Sequence, residues 1–289
     1  MLNMEQIVEQ QEAGLMASQA GKGTGLNRRR FLQAAGITAG AVTTIGLAGC
    51  GGLVGVDAQA GPAPSIEDVL KFALNLEYFE ASFYSYIATG AGLSGADIGP
   101  NPGKVTGGAQ VKFTDPNVAA LAQQLYLDEQ AHVRFLRAGM QYFGLTPVSL
   151  PALNLAAMGA PTDDATFLAL ARQLETVGTS AYEGGIQYLT GSIPAVNYAA
   201  LIHDAEGQHE SALRQFCIMK GISSPAVDKF DRPPVLGATT MFNTSSITGL
   251  NTARNASEVL QVVYGAVGKI GVTRGGFFPA GLNGNVKST

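Results

Sequence analysis

The chain has 289 residues, of which 46% are hydrophobic, a length and composition that support a packed core in one or two domains. Only 14% of the residues are charged, and the formal net charge is −4. This charge argues against a nucleic-acid partner, because nucleic-acid-binding proteins present a basic face.

The first fifty residues have the features of an export signal. Arg28 and Arg29 stand before an apolar stretch over residues 34–48, which resembles a twin-arginine signal for the export of folded proteins. The stretch ends in "LAGC", which resembles the lipobox of bacterial lipoproteins, where the cysteine is acylated. We therefore expect residues 1–50 to be a signal, Cys50 to be lipidated, and the mature protein to be attached to a membrane in the periplasm or cell envelope.

The alternative to lipidation is a soluble exported protein that is cleaved after Ala60 of the Ala-x-Ala stretch. In either case residues 51–64 read as a linker rich in Gly, Ala and Pro. Removal of the first fifty residues leaves Cys217 as the single thiol, so no intramolecular disulfide is available and stability must come from packing or from a bound metal.

Four segments of similar length predict long helices, which makes an all-α four-helix bundle over residues 65–220 the expected fold. Capping residues and prolines mark the starts, and glycines mark several of the ends. The predicted helices cover Ser65–Ala88, Asp115–Phe143, Asp163–Leu189 and Pro194–Lys220. Residues 221–289 form an irregular C-terminal extension packed on the bundle, with one helical stretch at 257–267.

The connections constrain the topology of the bundle only in part. The short "TGSI" linker forces the third and fourth helices to run antiparallel. Residues 144–161 could span roughly 60 Å when fully extended, which is enough for a connection along the whole bundle, but also leaves a shorter path open.

The chain has three histidines, and two of them follow a glutamate by three residues: Glu129 with His132, and Glu206 with His209. Each pair projects from one face at the middle of its predicted helix. Glu77 and Glu175 lie at the same depth in the other two helices. Glu80 also lies on the inner face of the first helix and is the alternative to Glu77.

Four buried carboxylates without countercharge would be prohibitively unstable, so the pattern predicts bound cations. Two divalent ions would balance the four charges, and the two imidazoles would act as neutral ligands. A mixed carboxylate and imidazole set favours iron, with manganese as the alternative. The competing interpretation is a metal-free interior network of Glu and His inherited from an active ancestor.

The chain resembles the ferritin-like superfamily, and more narrowly the exported ferritin-like proteins that include plant desiccation-related and fungal stress-associated members. The segments "LEYFEASFY", "DEQAH" and "GGFFPAGLNG" carry the narrower resemblance, which covers roughly residues 65–289. The resemblance implies a full-length crossover between the second and third helices. It also implies two metal ions and two tyrosines, Tyr84 and Tyr182, that bind the ligands rather than the ions. The six implied ligands are Glu77, Glu129, His132, Glu175, Glu206 and His209.

Within that set, the resemblance implies that Glu129 and Glu206 bridge the two metals. An aspartate commonly precedes each bridging glutamate in the superfamily and orients a histidine; Asp128 fits this pattern, but its counterpart is Ala205. Elsewhere we expect His203 to be a surface or packing histidine and Cys217 to be a buried apolar residue. Two further glutamates are expected to face solvent or to pair with arginines such as Arg214, namely Glu183 and Glu210.

Two functional hypotheses follow. The first is an oxidoreductase-like dinuclear protein that reacts with dioxygen or peroxide, as a ferroxidase, a peroxidase or a catalase-like enzyme. The second is a non-catalytic envelope or desiccation-stress protein with a structural or vestigial metal site, which rests on family analogy alone. A rubrerythrin-type electron relay is excluded, because it needs a Cys-x-x-Cys iron site that the two cysteines of this chain cannot form.

Overall fold

A computed structural model describes residues 63–238 and 240–289 of the chain. The predicted signal, the lipobox with Cys50 and nearly all of the predicted linker lie outside the described residues. Among the residues that are described, no helix combines the length and apolar character that are needed to cross a membrane.

The described residues fold mainly into helices, as the sequence predicted. The α-helices are α1 (Ile66–Thr89), α2 (Pro116–Tyr142), α3 (Asp164–Ile186), α4 (Ile193–Lys220) and the short α5 (Ala256–Val263). A 3₁₀ turn, Gln187–Leu189, follows α3, and two short strands are β1 (Val105–Thr106) and β2 (Leu153–Asn154).

The ends of the helices follow from local chemistry. Ser65 and Asp68 form a reciprocal capping box at the start of α1, and α1 ends at Gly90, whose φ of 76° is the left-handed conformation that glycine adopts without strain. At the start of α2, the Asp115 side chain accepts a hydrogen bond from the backbone N–H of Asn117. The third helix ends three residues before its predicted limit, because the chain tightens there into the 3₁₀ turn.

The bundle contains a full-length crossover between α2 and α3. The carboxylate of Asp164 accepts hydrogen bonds from the backbone N–H groups of Thr114 and Asp115, each at 3.0 Å, so α2 and α3 begin at the same end of the bundle. Lys220, the last residue of α4, forms an ion pair with Asp115 at that end. The connection over residues 143–163 must therefore return along the whole bundle.

The two strands were not predicted. β1 lies in the loop after α1 and pairs in parallel with β2 in the crossover, with Val105 opposite Leu153 and Thr106 opposite Asn154. Each strand has two residues and sits in sequence rich in Gly and Pro, so no alternating pattern is long enough to reveal it. The pairing fastens the crossover to the α1–α2 loop.

The C-terminal extension is tied to the bundle by three arginines that are almost fully buried. Arg172 on α3 contacts Asp231 at 2.6 Å, and Arg214 on α4 donates to the carbonyl oxygen of Met241 at 2.9 Å. Arg254 within the extension contacts Asp228 at 2.6 Å and donates to Ser180 Oγ on α3 at 2.6 Å. The extension is thus an integrated layer of the fold.

Apolar contacts complete this layer. The ring of Phe277 packs against Phe79 of α1 with 4.4 Å between ring centroids. At Gly184 a Cβ atom would lie 1.9 Å from the carbonyl oxygen of Arg254, so only glycine permits this approach of the extension to α3. Helix α5 is shorter than predicted: it ends at Val263, and the chain then turns at Gly265 with a φ of 63°.

Candidate metal centre

The six predicted ligands meet in the middle of the bundle. They form two groups of possible donors in which the donor atoms lie within 4.8 Å of one another. One group is Glu77, Glu129, His132 and Glu206, and the other is Glu129, Glu175, Glu206 and His209. Glu129 and Glu206 belong to both groups, which is the arrangement that two adjacent ions sharing two carboxylates require.

In the first group, Nδ1 of His132 faces three carboxylates. It lies 3.3 Å from Glu77 Oε2, 3.2 Å from Glu129 Oε2 and 3.4 Å from Glu206 Oε1. These oxygens come from α1, α2 and α4, so three helices converge on one ring nitrogen.

The second group has the same form. Nδ1 of His209 lies 2.9 Å from Glu129 Oε1 and 3.4 Å from Glu175 Oε2. The two imidazole rings stand side by side, with 5.9 Å between their centroids. Both histidines thus direct the same ring nitrogen towards the shared glutamates.

These donors satisfy one another only in part: His132 Nδ1 and Glu129 Oε2 form a hydrogen bond at 3.2 Å, but other donor atoms of the two groups do not. The four glutamates are completely buried. The atoms that have no hydrogen-bond partner are Glu77 Oε2, Glu129 Oε1, Glu175 Oε2, both carboxylate oxygens of Glu206, and His209 Nδ1. Unpartnered buried oxygens are strongly destabilising, whereas the same oxygens are suitable ligands for divalent cations. The donor set therefore fits a dinuclear metal site better than a self-contained polar network.

Burial and mutual repulsion dominate the electrostatics of the protein groups. Burial raises the pKa of Glu77 to about 7 and raises the pKa of Glu206 well above its ordinary value, with nearby carboxylates adding to the effect at Glu206. Burial disfavours the charged form of His132, but Glu77 and Glu129 outweigh it and raise the pKa of that ring. Metal binding would have to displace protons from these groups.

A tyrosine holds each outer glutamate. Tyr84 of α1 donates a hydrogen bond to Glu175 Oε1 of α3 at 2.5 Å, and Tyr182 of α3 donates to Glu77 Oε1 of α1. Each tyrosine thus binds the glutamate of the other helix. In both glutamates the second oxygen, Oε2, points towards the histidine nitrogen of its group.

The two histidines differ in their outer contacts. Nε2 of His209 lies 3.3 Å from Asp128 Oδ2, and this contact is the main reason that the pKa of Asp128 lies below its ordinary value. Ala205 stands where His132 would need a corresponding aspartate. The asymmetry foreseen in the sequence is present: Asp128 orients the histidine of the other Glu-x-x-His helix.

Glu80 is buried beside the centre but belongs to neither donor group. Burial, followed by repulsion from Glu206, raises the pKa of Glu80 well above its ordinary value. A Cβ atom at Gly178 of α3 would lie 2.6 Å from Glu206 Oε2 and 2.9 Å from Glu80 Oε1. Gly178 therefore leaves the space that these two carboxylates fill, a role that its sequence context did not indicate.

The remaining polar residues lie outside the centre. Glu210 is buried, accepts a hydrogen bond from Thr176 at 2.8 Å and lies 3.4 Å from Arg214. Glu183 is half-buried, and its carboxylate lies 3.6 Å from Nε2 of His203. The sequence predicted instead an exposed side chain or one paired with an arginine. Cys217 is buried, and burial raises the pKa of its thiol to about 11.

No curated protein is similar enough to count as a relative. One similar solved structure is described as a crystal structure of ferritin like, diiron-carboxylate proteins from Bacillus anthracis str. Ames; it is 18% identical, and the alignment covers 52% of this chain and 94% of that chain with a TM-score of 0.39.

The sequence pattern of the ferritin-like domain matches residues 65–218, which is more than half of the chain and covers the four long helices except the last two residues of α4. The match includes every glutamate and histidine of the two donor groups. The chain therefore belongs to the ferritin-like domain family.

Proposed function

We propose that this protein holds two iron or manganese ions in its bundle and uses them in redox chemistry with dioxygen or peroxide at the bacterial cell envelope. The observation that carries the proposal is the pair of buried donor groups that share Glu129 and Glu206 and leave several oxygens unpartnered.

The chain offers a nearly equal donor set to each ion. Glu77 and His132 would hold one ion, Glu175 and His209 would hold the other, and the two shared glutamates would contact both. Four carboxylates balance two divalent cations. Glu80 belongs to neither group and is not needed for this balance; burial raises its pKa well above the ordinary value and so favours its neutral form.

When bound, such ions supply a redox centre that can donate electrons to small oxidants. The protein contributes preorganisation. Tyr84 and Tyr182 fix one oxygen of each outer glutamate, and Asp128 fixes the ring of His209. The complete burial of the four glutamates excludes bulk water from the donor atoms.

The experiment that tests this proposal is a metal analysis of the purified protein after expression with iron and manganese both supplied. We expect about two equivalents of metal per chain in the wild type. The Glu129→Ala/Glu206→Ala double variant should lose both equivalents, while Glu67→Ala, at an exposed position of α1, should retain them. Undiminished metal in the double variant would refute the proposal.

Oxidant assays then separate a redox role from a structural one. Addition of oxygen or peroxide to the reduced, metal-loaded protein should change its optical absorption within seconds and consume the oxidant. Metal that neither exchanges nor responds to either oxidant would favour the alternative, a non-catalytic protein that protects envelope components during drying or oxidative stress.

The location is a separate part of the proposal and rests on the twin arginines and "LAGC". Mass spectrometry of the native N-terminus should find an acylated Cys50. An unmodified N-terminus near Gly61 would show instead that the protein is exported and released.

A further inference from the structure

The two tyrosines of the centre have very different neighbours. Tyr84 is fully buried, and the rings of Phe83 and Phe167 pack edge-on against it at centroid distances of 5.2 Å and 6.3 Å. Phe113, from the loop after α1, packs on Phe167 at 5.1 Å. Aromatic rings thus fill the bundle on the side of Tyr84.

Smaller residues stand at the matching positions near Tyr182. The shift in sequence that relates Glu77 to Glu175 and Tyr84 to Tyr182 also relates Phe83 to Ala181 and Val69 to Phe167. The region around Tyr182 therefore lacks both of the rings that surround Tyr84. Tyr182 is only half-buried, although its hydroxyl reaches the buried Glu77.

A cavity occupies the space that the missing rings leave. It has a volume of about 50 Å³ and is partly open to solvent, and all four long helices contribute to its wall. The residues that line it are all apolar, aromatic or glycine, and they include Val69, Leu76, Met140, Ala181, Tyr182 and Ala199. No charged side chain is among them.

The shape and lining define the class of ligand. The wall on α1 extends from Val69 to Leu76, which corresponds to about 10 Å along the helix axis and to an extended chain of about eight carbon atoms. An apolar wall offers no compensation for the burial of a charge, so a neutral ligand is favoured over a fatty acid anion.

We propose that this cavity binds a neutral aliphatic chain whose inner end lies against Tyr182, one hydrogen bond away from Glu77. Binding of the aliphatic chain does not depend on bound metal, whereas a role of the cavity as a substrate site rests on the proposed function. The cavity would place an aliphatic group beside Tyr182, whereas the aromatic rings around Tyr84 would exclude such a group from that side of the centre.

Titration calorimetry of the purified full chain with 1-octanol tests the proposal. We expect saturable binding of one molecule per chain, and about tenfold weaker binding of 1-hexanol because two methylene groups are lost from apolar surroundings. The absence of saturable binding of 1-octanol would overturn the proposal.

Variants that restore the missing rings locate the site. Val69→Phe and Ala181→Phe should each weaken 1-octanol binding at least tenfold, and Ala199→Leu offers a third way to fill the cavity if one of them fails to fold. The matched control is Leu201→Phe, which adds an aromatic ring at a position of α4 that is 51% exposed; it should bind like the wild type. Folded cavity variants that bind as well as the control would overturn the proposal.

Metal content, measured on the same samples, distinguishes this proposal from the proposed function. Binding of 1-octanol by a chain without metal would support the cavity and refute the metal proposal. Two equivalents of metal in a chain that binds no 1-octanol would support the metal proposal and overturn the cavity proposal.

Discussion

The regions around Tyr84 and around Tyr182, called here the Tyr84 half and the Tyr182 half of the bundle, carry the same local motif in different surroundings. Each tyrosine follows a glutamate of its own helix by seven residues and binds the glutamate of the other. Aromatic rings close one half, and an apolar cavity opens beside the other. The comparison teaches that the same ligand motif can be surrounded by different side-chain volumes, so the two tyrosines differ in the space beside them.

Loss of a shared ligand should have the largest effect, because Glu206 serves both halves. We expect Glu206→Ala to remove both metal ions, and Glu175→Ala to remove about one, since only the second donor group contains Glu175. Metal analysis of the two folded variants measures the difference. Equal losses would mean that the two halves do not bind metal separately.

Opening the closed half should be the next largest effect. Phe167 has no exposed surface, so Phe167→Val should lower the free energy of unfolding by about 2–3 kcal/mol through lost contacts and a new cavity. Val69→Phe, at the matching position, should change it by less than about 1 kcal/mol because space is already present. Denaturant unfolding gives both values; a large loss for Val69→Phe would show that the cavity cannot accept a ring.

The two histidines provide a subtler contrast, because only His209 has an aspartate partner. Asp128→Ala should weaken binding of the ion held by His209 about 10- to 100-fold and leave the other ion nearly unaffected. Competition with a chelator should reveal one weakened equivalent out of two. Equal weakening of both would show that the outer contact acts on the centre as a whole.

The smallest effect concerns Glu183, where Ser85 occupies the matching position in the other half. Burial, followed by repulsion from Glu210, raises the pKa of Glu183 from 4.5 to about 7. Ionisation is thus harder in the folded state, so this residue destabilises the fold increasingly as pH rises from 4.5 to about 7.

Glu183→Gln removes that penalty. The variant should gain stability relative to wild type as pH rises through this interval, reaching roughly 1 kcal/mol after allowance for partial exposure, and gain no more above it. Unfolding curves at several pH values would measure the gain. A constant difference at every pH would contradict the assigned cause.

Much of the bundle and the convergence of the donors could be predicted from sequence. Ser65, Asp115 and Pro116 mark helix starts by local chemistry, and the depth of Glu77 and Glu206 within their helices follows from counting residues. Features that depend on contacts between distant segments were inaccessible. The pairing of Val105 with Leu153 was missed, because neither segment carries a strand pattern.

The cavity was equally hidden, although its cause is visible in the sequence once the two halves are superposed. Val69 and Ala181 are ordinary helix residues when considered singly. They become informative only when compared with Phe167 and Phe83, which requires knowing that the two halves are related in space. Gly178 is a similar case, since its role depends on the position of Glu80 and Glu206.

The buried arginines imply that residues beyond the end of the family pattern contribute to the stability of the bundle. The pattern ends at residue 218, but Arg172 and Arg214 would lose partners in the extension if the chain ended there. A buried guanidinium without partners is strongly destabilising. The bundle and its extension should therefore unfold together in one cooperative transition, and a fragment trimmed to the recognisable domain should be a poor substitute for the whole.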